Sequence, residues 1–388
     1  MRKILLLSEI FPPQHGGSGR WFWEIYSRLP ANRVEFGAGH YPGASEFDRS
    51  QTHRIHRLPL SSPSWGLRSL VGLRFYLNNL WRLIRLTRRI GVEEIHCGRC
   101  LPEGVIAWLL KNITGRPYSC YVHGEDVETA ATSRELSWMV QRVLNNSERL
   151  ICNSHNSAAL LRENWGVDAD RIAVMHPGVD VDRFSSTQIR PQPPGWAGKN
   201  VILTVGRLQK RKGHDMLISA LPELSHSHPD VHYCIVGDGK EKAELARLAQ
   251  DLGVAERVEF RDAIDDETMI ACYQHCALFA LPNRTVGRDI EGFGIVLLEA
   301  QACGKAVLAG DSGGTRETMV PDETGVIVDC TAPEPLAAAL SRLLADPERL
   351  ARMGEAGVSQ ALRFHWPNLA RDAERLFSKS AEVKQSSD

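Results

Sequence analysis

No stretch of this sequence approaches the ~18 uncharged apolar residues that a membrane-crossing helix needs, which argues against a helical membrane-spanning protein. Nor does it open like a secretory precursor. Only Ile4–Ser8 separate Lys3 from Glu9, and no small-residue cleavage site follows. Cysteine is sparse, 9 in 388 residues, and irregularly spaced, as expected of reduced thiols in a cytoplasmic protein. The one C-x-x-C pair, Cys97-Gly-Arg-Cys100, lacks a second pair at zinc-site spacing, and the Leu101-Pro102 that follows fits a thioredoxin-like helix start poorly. A structural role is expected for it. Also missing is the G-x-G-x-x-G fingerprint with an acidic residue closing a second strand, which counts against a nicotinamide cofactor.

What is present is a charge asymmetry hidden in a net charge of -1. Residues 1–190 carry a balance of +6 and the remainder -7, so the first half is suited to meet something anionic, unless the two halves have simply drifted apart. Short apolar runs alternate with helical patterns along the whole chain. Strands are predicted at Lys3–Ser8, Glu94–Cys97, Tyr118–His123, Arg149–Asn153 and Ile172–Met175, then at Val201–Val205, His232–Val236, Val258–Arg261, Ala277–Leu281, Ala306–Ala309 and Gly325–Val328. Nearly continuous apolar strands separated by helices mean parallel sheets covered on both faces, and the pattern occurs twice. The expected fold is therefore α/β, with two Rossmann-like domains facing a cleft. We place a first domain at 1–185, a Pro- and Gly-rich linker at 186–199, a second domain at 200–367 and a closing helical segment at 368–388 that docks back on the first domain. The tail 384–388 is expected to be disordered.

Five segments carry candidate chemistry. Phe11–Gly19 joins the first strand to the first helix, where Gly16 and Gly17 would let a ligand approach the backbone and the helix N-terminus; a tight turn is the plain alternative. Val205–Gly213 places Arg207 and Lys212 in a loop at the end of a second-domain strand, suited to gripping a diphosphate, with Lys210 and Arg211 expected in solvent. Asp289–Gly304 is the most specific. Two glycines open a helix near Gly294–Val296, Glu291 lies just before it, and Glu299 sits among apolar neighbours where a carboxylate needs a partner, such as the vicinal hydroxyls of a ribose. His123, at a strand end in Tyr121-Val-His-Gly-Glu-Asp126, would face the cleft or serve as a structural histidine. Finally, Arg54–Val92 holds eight arginines, no acidic residue and four aromatics. Its Leu70–Arg89 portion reads as a basic amphipathic helix suited to an anionic membrane, an ordinary core-facing helix being the alternative and nucleic acid being unsupported by any fold signature.

Taken together, His123-Gly, Gly206-Arg207 with Lys212, Glu291-Gly-Phe-Gly with Glu299, and Gly310-Asp-Ser-Gly-Gly314 resemble the family 4 retaining glycosyltransferases of the GT-B fold, most closely the bacterial phosphatidylinositol mannosyltransferase type. The resemblance implies sugar transfer from a nucleotide-sugar, GDP-mannose favoured and a UDP-sugar the alternative, to a lipid-linked or glycan hydroxyl. It implies Gly16 and Gly17 beside the donor diphosphate and Arg207 and Lys212 neutralising it. It also implies Glu299 on the ribose, Phe293, Gly294, Ile295 and Val296 giving backbone contacts, and Ile264 beside the base. Glu291 would contact the transferred sugar and His123 its reacting carbon. No metal and no other cofactor are expected, since Asp180-Val-Asp182, which has the Asp-x-Asp spacing, follows a turn. A nucleotide-sugar epimerase or hydrolase, or a non-catalytic binding protein, is the competing reading. The location implied is cytoplasmic, peripheral on the inner face of the cell membrane.

Overall fold

The computed structural model describes residues 1–385 apart from His15 and Ala263. It divides into two compact units, one formed by Met1–Pro177 with Trp366–Asp388, the other by Gly178–His365. Of the expected tail 384–388, residues 386–388 lie outside the described residues, and the final helix runs on to Gln385.

The first unit holds seven parallel strands: β1 (Ile4–Ser8), β2 (Val34–Gly39), β3 (Ile55–Leu58), β4 (Glu94–Cys97), β5 (Tyr118–Val122), β6 (Arg149–Cys152) and β7 (Ile172–Val174), in the order β3-β2-β1-β4-β5-β6-β7. The second holds six, β8 (Asn200–Val205), β9 (Val231–Val236), β10 (Val258–Arg261), β11 (Leu278–Leu281), β12 (Val307–Gly310) and β13 (Gly325–Val328), in the order β10-β9-β8-β11-β12-β13. Each is a doubly wound sheet with helices on both faces, which is why its central strands are apolar on both sides. The chain reverses direction across the sheet between β1 and β4 in one unit and between β8 and β11 in the other. Loops leaving the carboxyl ends of those two pairs diverge, and ligands bind at such points in open α/β sheets.

Two features differ from the sequence-based expectation. Strands β2 and β3 were not predicted, because Glu35 interrupts the apolar run of β2 and His56 and Arg57 that of β3; Glu35 is buried between Lys3 Nζ at 2.9 Å and His56 Nε2 at 2.7 Å. Residues 186–199 are part of the second unit rather than a free connection. Trp196 is buried with its Nε1 donating to Glu259 at 2.9 Å, and Gln274 Nε2 donates to the carbonyls of Ser185 and Gln188. Proline and glycine remove regular structure there without removing packing. Helix Trp366–Gln385 packs in the first unit through Trp366, Ala370, Ala373 and Phe377, the last stacked 5.5 Å from Tyr26. Among the described residues no helix is long and apolar enough to cross a membrane.

Candidate donor site

The two most informative motifs fall on the two strands at which the second sheet reverses. The loop after β8 begins at Gly206, forms a single turn at Lys210–Lys212 and enters helix His214–Ser227. The loop after β11 ends at Gly294, which caps helix Ile295–Ala302 in a left-handed conformation. Arg284 N–H donates to the Arg211 carbonyl at 2.8 Å, and the Arg284 guanidinium grips Asp215 with two bonds of 2.7 and 2.6 Å, so the loops are tied together. Gly213 allows their close approach. At φ +73°, a Cβ there would lie 1.8 Å from the Pro282 carbonyl oxygen.

Between these loops sits a buried charge cluster. Glu291 Oε2 lies 2.6 Å from Lys212 Nζ and also accepts from Arg211 Nη1, whose own Nε is 3.1 Å from Asp289 Oδ1. Burial alone would push the Glu291 carboxyl up; the charges of Lys212 and then Arg211, with their hydrogen bonds, outweigh it and hold it below the usual range. Arg211 is therefore not solvated, as the Lys-Arg-Lys run suggested; it is 5% exposed, whereas Lys210 does project into solvent. Arg207 is exposed and makes no side-chain hydrogen bond or ion pair among the described residues.

A third loop fixes the backbone of Glu291. Buried Asn283, at the end of β11, donates to the Ser312 carbonyl at 2.8 Å and accepts from Gly310 N–H at 3.0 Å. Gly314 N–H then donates to the Glu291 carbonyl at 2.9 Å. The sequence motif Gly310–Gly314 thus acts through main-chain contact, and Asn283, which sequence reasoning missed, is its anchor.

Helix Ile295–Ala302 has no side-chain cap, so its first N–H groups are available to an anion. Ile295 and Val296 are half-buried there, and Phe293 is buried against Phe364, ring centroids 6.0 Å apart. Glu299 lies in the same helix, buried, and accepts a 2.8 Å hydrogen bond from Tyr273 Oη. The partner its burial demands is thus at least partly supplied by the protein. Ile264 is half-buried against the second unit's core, in the loop after β10.

In the first unit, Gly16 and Gly17 are exposed at the uncapped start of helix Gly17–Tyr26. His123 follows β5; its Nε2 donates to the Gly98 carbonyl at 2.8 Å, its N–H to Asp126 Oδ1 at 3.0 Å, and Trp21 and Phe22 flank the ring. At the reversal of this sheet stands a cluster not foreseen from sequence: fully buried Glu103 accepts the Glu9 N–H at 2.7 Å, and Arg99 pairs with both carboxylates. Burial raises the Glu103 carboxyl despite Arg99. Its only sequence signal was a charged residue inside the Cys97–Cys100 motif. Both of those cysteines are buried, and their thiols are pushed well above the ordinary value, Cys97 by burial and Cys100 first by its contact with Cys120, which fits a structural role.

The model of the Glycosyltransferase Family 4 domain matches residues 15–183, and that of Glycosyl transferases group 1 matches 186–360. The GDP-mannose-dependent alpha-(1-6)-phosphatidylinositol monomannoside mannosyltransferase of Mycolicibacterium smegmatis is 32% identical over 98% of this chain and 100% of its own. A monoacylated alpha-(1-6)-phosphatidylinositol monomannoside mannosyltransferase of Corynebacterium glutamicum is 30% identical over 92% of each chain. Among solved structures, Anabaena HepE in complex with UDP superposes with a TM-score of 0.80 at 20% identity, covering 97% of this chain and all of that one. The sucrose-phosphate synthase of Thermosynechococcus elongatus gives 0.80 at 23%, covering 99% of this chain and all of that one. With a family 4 domain, a group 1 domain and relatives alike over nearly their full length, the chain belongs to the family 4 glycosyltransferases of the GT-B fold, and is an enzyme that uses a nucleotide-sugar donor.

Proposed function

We propose that the protein transfers mannose from GDP-mannose to a hydroxyl of a phosphatidylinositol-type or other lipid-linked glycan acceptor, with retention and without a metal. The observation that carries this reading is the buried Arg211–Lys212–Glu291 cluster beside the open N-terminus of helix Ile295–Ala302. Two kinds of group that the reading needs lie next to each other there. Cations and free N–H groups suit a diphosphate, and a carboxylate kept ionised suits the hydroxyls of a sugar attached to it. Arg207, exposed at the same loop, adds a further cation for the charge that develops as the sugar–oxygen bond breaks. The acceptor oxygen then bonds to the anomeric carbon on the face the diphosphate leaves, and its proton passes to a released phosphate oxygen. Glu299 holds the ribose and Ile264 lies beside the base. By the resemblance to the family, Gly16 and Gly17 are assigned to the diphosphate and His123 to the reacting carbon. The choice of mannose rests on the two mannosyltransferase relatives.

The acceptor side brings in the membrane. Helix Leu70–Ile90 buries Tyr76, Leu80, Leu83 and Leu86 and exposes Leu70, Leu77 and Trp81 in one row with Arg74, Arg85 and Arg88. We place the enzyme on the cytoplasmic face of an anionic membrane through this helix. The test is sugar transfer from GDP-, UDP- and ADP-sugars to lipid extracts, in wild type, Lys212→Ala and Glu291→Ala, with chelator present. Transfer from GDP-mannose that survives chelation and falls at least about 10²-fold in both variants is expected. Donor turnover without acceptor would favour a hydrolase or epimerase, and unchanged transfer in both variants would sink the site assignment.

A further inference from the structure

The two groups assigned above to the diphosphate and to the sugar are bonded to each other: Lys212 Nζ sits 2.6 Å from Glu291 Oε2. As Lys212 turns its charge toward a phosphate, it gives up part of its hold on that carboxylate. Stripping a buried carboxylate of its counter-ion is unfavourable unless a second cation stays behind. Arg211 is that cation. Its Nη1 donates to the same Glu291 oxygen while its Nε is fixed 3.1 Å from Asp289 Oδ1, and its carbonyl is held by Arg284 N–H at 2.8 Å. A guanidinium anchored at both ends is a rigid fork, whereas a lysine ammonium is a point charge on a flexible stem. That stem runs beside the bare backbone of Gly206, where a Cβ would come within 3.7 Å of Lys212 Cε and 3.8 Å of Nζ.

We propose that Arg211 is a positioning residue of the donor site: it stays on Glu291 and so releases Lys212 from an ion-pair latch to the donor diphosphate. The proposal rests on the donor reading above. It makes the latch an energetic competitor of the ligand, with Glu291 holding Lys212 back and Arg211 easing its departure.

The test is calorimetric titration of the intact protein with GDP and with UDP, neither carrying a sugar. Glu291→Gln removes the competitor, so nucleoside diphosphate binds roughly 5–10-fold tighter although sugar transfer is lost. Arg211→Gln leaves Lys212 to hold Glu291, so binding weakens by about the same factor, and Arg211→Lys recovers part of it. In the double variant Arg211→Gln/Glu291→Gln there is no carboxylate to hold Lys212, and affinity returns to that of Glu291→Gln alone. A merely structural Arg211 would weaken the double variant as much as the single one, so that restoration separates the two. Unchanged affinity in Arg211→Gln, weaker binding in Glu291→Gln, or no restoration in the double variant overturns the proposal. Failure of the wild type to bind either nucleotide overturns the donor reading itself, and the proposal with it.

Discussion

Tyr273 Oη donates a 2.8 Å hydrogen bond to Glu299 Oε2 and so ties helix Asp266–His275 to helix Ile295–Ala302. Both side chains are buried, and the phenol is held well above its ordinary value by burial and by the carboxylate beside it. A carboxylate has about four acceptor positions, so this bond is compatible with the ribose contact proposed above. Tyr273→Phe removes one oriented bond to a charged group, which costs on the order of 1–3 kcal/mol. We expect a lower melting temperature and a donor KM raised roughly 3–10-fold, with kcat close to wild type, because ribose binding is shared by ground and transition states. An unchanged melt and KM would show that the bond positions nothing.

Gly313 constrains the site from the other side. Its φ is +68°, and a Cβ there would lie 1.8 Å from the carbonyl oxygen of Glu291. Gly313→Ala must push the Glu291 backbone aside or distort the Gly310–Gly314 loop. A displacement near 1 Å at a reacting group costs about 10²-fold in rate, so kcat should fall by that order while the second unit stays folded. Steady-state kinetics alongside a thermal melt checks this. A rate within about 3-fold of wild type would mean that Glu291 is not sensitively placed.

The contrast between Glu291 and Arg211 shows what was legible in the chain. Both site loops, and the bounds of β4, β10 and β13, could be read locally, because apolar runs ending in glycine-rich loops need no distant information. Arg211 could not. It lies in a Lys-Arg-Lys run that looks solvated, and its burial comes from a carboxylate 80 residues away. Strand β2 failed for the same reason, since Glu35 is tolerable inside a sheet only with Lys3 and His56 brought to it by the fold. Segment 186–199 shows the converse, since its prolines and glycines mark a connection but say nothing of the bond from Trp196 to Glu259. For Arg211 and Glu35 a long-range polar pairing overrode a sound local signal.

His214 makes stability depend on pH. It opens helix His214–Ser227, with Nδ1 2.9 Å from Tyr233 Oη; Tyr233 donates on to Thr204, and Thr204 to the Ala280 carbonyl. That chain requires the Nδ1–H tautomer. Burial is the main cause that lowers its pKa from 6.5 to about 4, with Lys212 adding to it, against partial opposition from the Arg207 backbone and Asp215. The folded value is depressed, so the unfolded chain binds more protons between the two values. Its contribution is full above about pH 6.5 and is lost as pH falls toward about 4, worth about 3 kcal/mol at most. Denaturant melts from pH 7 to 4 should show this slope in wild type and a flatter one in His214→Gln. Parallel slopes would assign the acid sensitivity elsewhere.

The membrane binding proposed for the basic helix Leu70–Ile90 divides into two contributions that can be measured apart. Its outward row mixes Leu70, Leu77 and Trp81 with Arg74, Arg85 and Arg88, and the Arg85 guanidinium lies 4.3 Å over the Trp81 ring. Arginines near an anionic surface contribute about 1 kcal/mol each, screened by salt, whereas buried apolar area is insensitive to salt. Arg74→Gln/Arg85→Gln/Arg88→Gln should therefore weaken partitioning onto phosphatidylinositol-containing vesicles by about 10²-fold at low salt and much less at 1 M. Leu77→Ala/Trp81→Ala should weaken it at both. Transfer to a short-chain soluble acceptor should survive either change, because neither alters the second unit, in which the proposed donor-site cluster of Arg211, Lys212 and Glu291 lies. If the arginine variant bound as tightly as wild type at low salt, the helix would be an ordinary core-facing one, and its exposed row would need another partner.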